Sequence, residues 1–321
     1  MEPIKLIIGK LITSWRVYPK TRKELIRIPP GPPIFITGTH RSGTTWVAKM
    51  LARDGIWYIH EPYFSGKGLW RKNFAYINEN TASPNADLIM EKLLKGGYRH
   101  VLNNPWTDHC LMPMRLLPPP RLKRILVKDP IACLMSEYLT RRFHFKTLVL
   151  FRHPAGFVES IIRLGWPTGS FISQFLEDES LMSDWLYPYR YAMEDVKNRE
   201  DLKSAAVLHG CLNSVLWGFT NRNRSMKTLI FEKLCINPIE NFKELYTVLM
   251  LPYNKEIQKN HIQLCFAKKK NESGYRPHEV RRNTKEMAER WRNSLSQKEL
   301  TEIRSVWEKF DIPLYRKNKC W

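Results

Sequence analysis

The segment Gly38-Thr39-His40-Arg41-Ser42-Gly43-Thr44-Thr45 sets two glycines with four residues between them, after the apolar stretch Ile34-Phe35-Ile36 and before a helix-forming run. Glycines let backbone N–H groups converge on an anion, and a helix N-terminus adds a favourable dipole. With four residues between its two glycines, this order of elements is that of a phosphate-cradling loop. A nucleotide triphosphatase carries lysine after the second glycine, and Thr44 stands there instead. A second anion-binding pair follows: Arg152 ends the apolar run Thr147–Phe151, and Ser160 lies eight residues on, in the next helical stretch. A guanidinium offers phosphate a fixed fork of donors, and Pro154 suits a first helical turn. Two carboxylates complete the set. Glu61, in Ile59-His60-Glu61-Pro62, and Asp129, after Val127-Lys128, both sit at the ends of predicted strands, where ligands bind in open α/β sheets. Either could take a proton from a hydroxyl. His40 and His60 flank these groups and read as structural or solvent-facing.

Taken as Arg41-Ser42-Gly43-Thr44-Thr45-Trp46, the first loop resembles the 5′-phosphosulfate loop of sulfotransferases that use 3′-phosphoadenosine 5′-phosphosulfate (PAPS). That loop is commonly Pro-Lys-Ser-Gly-Thr-Thr-Trp in cytosolic members. Arg41 takes the lysine position, which looks like the carbohydrate and bacterial branches. Arg152 and Ser160 resemble the 3′-phosphate motif of the same family. Looser likeness extends through Thr228–Leu234 with Asn237-Pro238, and through Trp291 and Leu295, so the resemblance covers about residues 34–310.

The resemblance implies PAPS as cofactor, 3′-phosphoadenosine 5′-phosphate (PAP) as product, and in-line transfer of a sulfuryl group to an acceptor hydroxyl. It implies that Ser42, Gly43, Thr44 and Thr45 hold the 5′-phosphosulfate and that Arg41 stabilises the bridging oxygen. Arg152 and Ser160 then bind the 3′-phosphate, Trp46 stacks on adenine, and Lys128 touches the sulfuryl oxygens. Two departures stand out. The histidine base of the cytosolic Lys-x-His-Leu-Pro segment is missing from Val127-Lys128-Asp129-Pro130. Glu61 is similar to the glutamate base in the Glu-Pro step of carbohydrate and bacterial members, with Asp129 the competing base. The cytosolic Lys/Arg-Lys-Gly-x-x-Gly element is also missing, and the chain has only Lys268-Lys269-Lys270 followed by Arg276, the candidate there for the 3′-phosphate.

Positioning these groups requires strands alternating with helices. Short apolar runs predict strands at Ile34–Ile36, Trp57–His60, Ile125–Val127, Thr147–Phe151 and Lys227–Phe231. Helical spacing predicts helices over Thr44–Arg53, Ala155–Leu164, Ala205–Asn221, Pro238–Met250, Thr284–Asn293 and Gln297–Lys309. The expected fold is α/β, a single P-loop-type domain over residues 34–321, with a mainly parallel sheet covered by helices on both faces. Residues 1–33 form a preceding unit. Ile4, Ile7, Ile8, Leu11, Ile12 and Trp15 make an amphipathic basic helix suited to docking on the domain or to peripheral membrane contact over residues 4–16, and a Pro-rich linker follows at 29–33. A second Pro-rich stretch spans 118–120.

The 321 residues are 43% apolar, enough for a sizeable core, which excludes a disordered chain. A formal charge of +21 points to an anionic partner. No nucleic-acid-binding motif accompanies the dispersed basic residues, so the expected partners are a small-molecule nucleotide and a hydroxyl acceptor, without nucleic acid. A small-molecule kinase with a similar loop, or a basic nucleic-acid-binding module, are the alternatives. The six cysteines have neither zinc nor disulfide spacing, which predicts no metal and a reducing, cytoplasmic setting. Tyr58, Tyr63, Phe64, Trp70, Phe74, Tyr76 and Tyr98 suggest an aromatic platform for a glycan, glycolipid or natural-product acceptor.

Overall fold

The computed structural model describes residues 31–64, 70, 72–95, 122–266 and 283–321. The helix expected over 4–16, residues 29 and 30 of the linker, Tyr98, the stretch 118–120, Lys268–Lys270 and Arg276 lie outside the described residues.

Five parallel strands make the sheet in the order β2-β3-β1-β4-β5: β1 (Ile34–Gly38), β2 (Ile56–His60), β3 (Arg124–Lys128), β4 (Lys146–Phe151) and β5 (Met226–Ile230). Each predicted strand is present, displaced by at most two residues at an end. Parallel strands covered on both faces must be apolar on both, which is why β1, β3 and β4 read as continuous apolar runs and not as alternations. Side chains alternate across the sheet all the same. Ile34, Ile36, Leu126, Leu148 and Leu150 face one core, filled by α1 (Thr44–Leu51) and by helices after β5. Phe35, Trp57, Ile59, Ile125 and Val127 face the opposite side, under α2 (Pro84–Leu94) and α3 (Ser136–Phe143). Val149 and Phe151 continue that side beneath α4 (Pro154–Leu164), α5 (Thr168–Leu176) and α6 (Leu202–Arg222).

The second half of the chain adds α7 (Phe231–Ile236), α8 (Pro238–Val248), α9 (Lys255–Cys265), α10 (Thr284–Glu289) and α11 (Gln297–Trp307). Five of these helices were not read from sequence: α2, α3, α5, α7 and α9. Two expectations need correction at their ends. Phe231 opens α7 and does not close β5, and the helix expected over Thr284–Asn293 tightens into a 3₁₀ turn at Arg290–Asn293, with Trp291 buried. Among the described residues no helix is long and apolar enough to cross a membrane.

The register aligns the carboxyl ends of the strands. Ile36 and His60 both pair with Lys128, Gly38 pairs with Leu150, and Phe151 pairs with Ile230. The chain leaves β3 on one side of β1 and returns as β4 on the other, so the loop after β1 sits at the topological switch point, where open α/β sheets bind ligands.

Burial has a pH consequence. His40, His153 and His209 are pushed down to about 3 and His261 to about 4, in each case chiefly by burial. An imidazole with a lowered folded pKa binds its proton more readily in the unfolded chain, so the stability it contributes is lost as pH falls from about 6.5 toward those values. Asp129, raised to about 7 chiefly by burial, acts in the opposite sense: its contribution is lost as pH rises from the ordinary carboxylate range through neutrality. Glu137 and Glu232, also raised chiefly by burial, act in the same sense as Asp129 and offset part, not all, of what the four imidazoles contribute. The urea midpoint is therefore expected to fall steadily between about pH 6.5 and pH 4. A midpoint that rises over that range would contradict this reading.

Candidate active site

The loop between β1 and α1 is shaped by glycine. Gly38 has φ 142°, and a Cβ there would lie 2.3 Å from the Leu150 carbonyl oxygen. Gly43 caps α1 in the left-handed region at φ 100°, where a Cβ would strike the Phe231 ring at 2.5 Å. Between them Arg41 is also left-handed, at φ 66°. A non-glycine residue persists in that region only where its surroundings hold it, and such residues cluster at functional sites. Here the Arg152 guanidinium donates to the Arg41 carbonyl at 2.7 Å.

That contact joins the two sequence motifs. Arg41 Nε donates to Ser160 Oγ at 3.0 Å, so Arg41, Arg152 and Ser160 converge although 119 residues separate the first from the last. Arg152 lies over the Phe231 ring at 5.0 Å. Burial, and the like charge of Arg41, disfavour its positive charge, while Glu232 supports it. An anion bound between the two guanidinium groups would relieve this repulsion. The loop also holds orphans: the hydroxyls of Thr39 and Ser42 are buried without a hydrogen-bond partner. Two unmatched buried hydroxyls beside two guanidinium groups are donors that an anion could accept from. Thr44 is buried and Thr45 half-buried at the start of α1.

Trp46 is packed in the core, edge-to-face against Phe231 (5.9 Å) and Phe242 (5.2 Å). His40 is buried, stacked on Trp166 at 4.8 Å with Phe74 and Phe157 around it, and neither ring nitrogen has a hydrogen-bond partner. It is structural and does not face solvent.

The two carboxylates part company. Glu61 is left-handed at φ 47°, its N–H fixed to the Lys128 carbonyl at 2.7 Å. Its Oε1 lies 2.5 Å from Lys128 Nζ and 3.6 Å from His60 Nε2. Lys128 is almost fully buried, whereas the Glu61 side chain keeps 16% of its surface exposed, so the pair presents a carboxylate at the rim of the site. His60 in turn meets the Tyr58 hydroxyl at 2.7 Å.

Asp129 has no exposed surface, and both its oxygens are used. Oδ1 accepts from the N–H groups of Ile131 (2.9 Å) and Ala132 (3.1 Å), and Oδ2 from that of Tyr63 (2.7 Å). It tethers the chain after β2 to the turn after β3, which is a structural task and not that of a presented base. Asp129→Ala would leave three buried N–H groups unmatched and is expected to cost about 3–5 kcal/mol, at about 1–3 kcal/mol per orphaned group with partial relaxation. Urea unfolding checks this, and a loss under about 1 kcal/mol would show that the tether is dispensable.

Sequence reasoning assigned no chemistry to Glu232, Tyr315 and His153. His153 caps α4 through Nδ1, which accepts from the Ala155 N–H at 3.2 Å, and its ring stacks on Trp291 at 4.4 Å. The Trp291 signal was visible in the sequence. Its partner, from a segment 138 positions earlier, was not.

No family model matches this chain, and none of the curated proteins does. Among solved structures it is similar to a sulfotransferase domain from the curacin biosynthetic pathway, 17% identical, with a TM-score of 0.41, over 89% of this chain and 100% of that one. It is also similar to the sulfotransferase domain of the Synechococcus PCC 7002 olefin synthase, at 16% identity and a TM-score of 0.43 over 90% and 98% of the two chains. Mouse sulfotransferase SULT7A1, complexed with PAP, is 13% identical, with a TM-score of 0.38 over 90% and 86%. At these scores the roles of individual residues come from this chain's own geometry.

Proposed function

We propose that this protein is a sulfotransferase that moves a sulfuryl group from PAPS to a hydroxyl of a glycan, glycolipid or natural-product acceptor. The observation that carries the reading is the joining of Arg41, Arg152 and Ser160 beside the orphaned Ser42 hydroxyl. Two cations, two unmatched hydroxyls and a glycine-shaped helix N-terminus suit a ligand with two separated anionic groups. The residues present therefore fit PAPS. Ser42, Gly43, Thr44 and Thr45 would hold its 5′ end, and Arg152 and Ser160 its 3′-phosphate.

When bound, PAPS supplies a sulfuryl group carried on a phosphate leaving group. The chain's own residues supply the rest. Glu61 accepts the acceptor hydroxyl's proton, which raises the nucleophilicity of its oxygen. Lys128, almost fully buried behind Glu61, fixes that carboxylate at the rim and offsets its charge. Arg41 offers donors where negative charge grows on the leaving side. A kinase reading is less favoured by the same residues. Thr44 stands where a kinase needs lysine, and Asp129, the buried acid at a strand end, is occupied by backbone.

Incubation of the purified protein with sulfur-labelled PAPS and a panel of sugar, glycolipid and polyketide alcohols tests this, beside γ-labelled ATP with magnesium. Label is expected to move from PAPS to a hydroxyl product, with no phosphoryl transfer. Phosphoryl transfer alone would overturn the reading.

A further inference from the structure

Behind Arg152 lies a network that the proposed chemistry does not use directly. Glu232, in the first turn of α7, accepts from the His153 N–H through Oε1 (2.9 Å) and from the Tyr315 hydroxyl through Oε2 (2.6 Å). These donors come from the residue next to Arg152 and from a segment near the C-terminal end of the sequence. Burying a carboxylate between strand ends is costly unless it is hydrogen-bonded, and an apolar side chain would fill the space at less cost. The cation beside it is Arg152, whose neighbour His153 supplies one of the carboxylate's donors. Burial raises the Glu232 carboxyl above its ordinary range, while the Tyr315 and His153 donors and the Arg152 charge oppose that shift. Glu232 in turn supports the Arg152 charge.

The C-terminal segment is built to hold Tyr315 in place. Tyr315 is left-handed at φ 58°, a conformation that persists only where neighbours impose it. Its carbonyl accepts from Trp321 Nε1 at 2.7 Å, and Arg292 donates to the Trp321 carbonyl at 2.6 Å while lying over the Trp291 ring at 4.3 Å. Trp321 and Tyr315 both pack edge-to-face on His153, at 4.5 and 5.0 Å, and Trp291 stacks on its other side. Gly156 completes the seat, since a Cβ there would lie 3.1 Å from Arg152 Nε.

We propose that Glu232 is a positioning residue for Arg152, that Tyr315 positions Glu232, and that the segment Tyr315–Trp321 thereby sets the affinity of the 3′-phosphate site. The inference rests on the nucleotide reading above. It goes beyond it by placing the control of that affinity in residues that touch no ligand. Tyr315 and His153 donate to Glu232, the resulting carboxylate supports the Arg152 charge, and the packed aromatic residues keep all three in register.

Calorimetric titration with PAP tests this in three variants of the full chain. Tyr315→Phe keeps the ring and removes one hydroxyl. Glu232→Gln keeps the shape and removes the charge. Tyr246→Phe is the matched control, since its buried hydroxyl donates to the Met50 carbonyl at 2.9 Å, outside the Glu232 and Tyr315 network. Tyr315→Phe is expected to raise the PAP Kd about threefold or more and Glu232→Gln about tenfold or more, with the acceptor KM unchanged. Tyr246→Phe should lower the melting temperature by a similar amount to Tyr315→Phe and leave the Kd within about twofold. If wild type binds PAP and both network variants bind it within about twofold, or if the control shifts the Kd equally, the inference is overturned while the nucleotide reading stands. A wild type that does not bind PAP overturns both.

Discussion

Glu61→Gln is expected to lower sulfuryl transfer by roughly 10²–10⁴-fold, the usual contribution of a positioned general base, while PAP still binds with near-normal affinity. Glutamine keeps the shape and an oxygen to accept from Lys128 Nζ, so the backbone at Glu61, fixed by its N–H to the Lys128 carbonyl, has no reason to move. It cannot take a proton. Some stability is lost as well, because Lys128 is almost fully buried and loses the charge that offsets its own. Turnover collapses, binding survives and the fold melts somewhat earlier. Near-normal turnover in E61Q would remove Glu61 from the mechanism, and loss of PAP binding would recast it as a nucleotide-site residue.

Arg152→Ala should act the other way round. A hydrogen bond to a charged group contributes about 1.5–3 kcal/mol, so removing this guanidinium from a phosphate site should weaken PAP binding by roughly 10–150-fold. The same substitution releases the Arg41 carbonyl, whose left-handed residue then lacks the donor that holds it. Arg152→Lys restores charge without the fork and should recover only part of the affinity. Titration of each variant with PAP, at two salt concentrations, measures this directly. Unchanged affinity in R152A would sink the 3′-phosphate assignment.

The fold was legible because its strands are buried on both faces. Ile34–Ile36, Ile125–Val127 and Thr147–Phe151 declare themselves as apolar runs, and the loop after the first is marked by glycine. The missed helices lack that clarity. Ser136–Phe143 carries Glu137, Arg141 and Arg142 in one short amphipathic stretch, and its buried Glu137 is made tolerable by Arg222 from α6, a partner no local pattern reveals. The site was legible as far as local motifs go. Arg41, Arg152, Ser160 and Glu61 were each visible, and the resemblance of the Glu61-Pro62 step favoured Glu61 over Asp129, but the physical reason against Asp129 was not visible. Both are acids at strand ends, and only the three backbone donors around Asp129 separate them. Glu232 and Tyr315 were hidden for the same reason, since their roles exist only where two distant segments meet at Arg152.

The central claim is that two guanidinium groups and a glycine-shaped loop form a site for a nucleotide with a 3′-phosphate. Calorimetric titration of the purified protein with PAP, beside ATP with magnesium, tests it most directly. Micromolar binding of PAP with little binding of ATP is the result the site predicts. A preference for ATP with magnesium, or binding of neither, would contradict it.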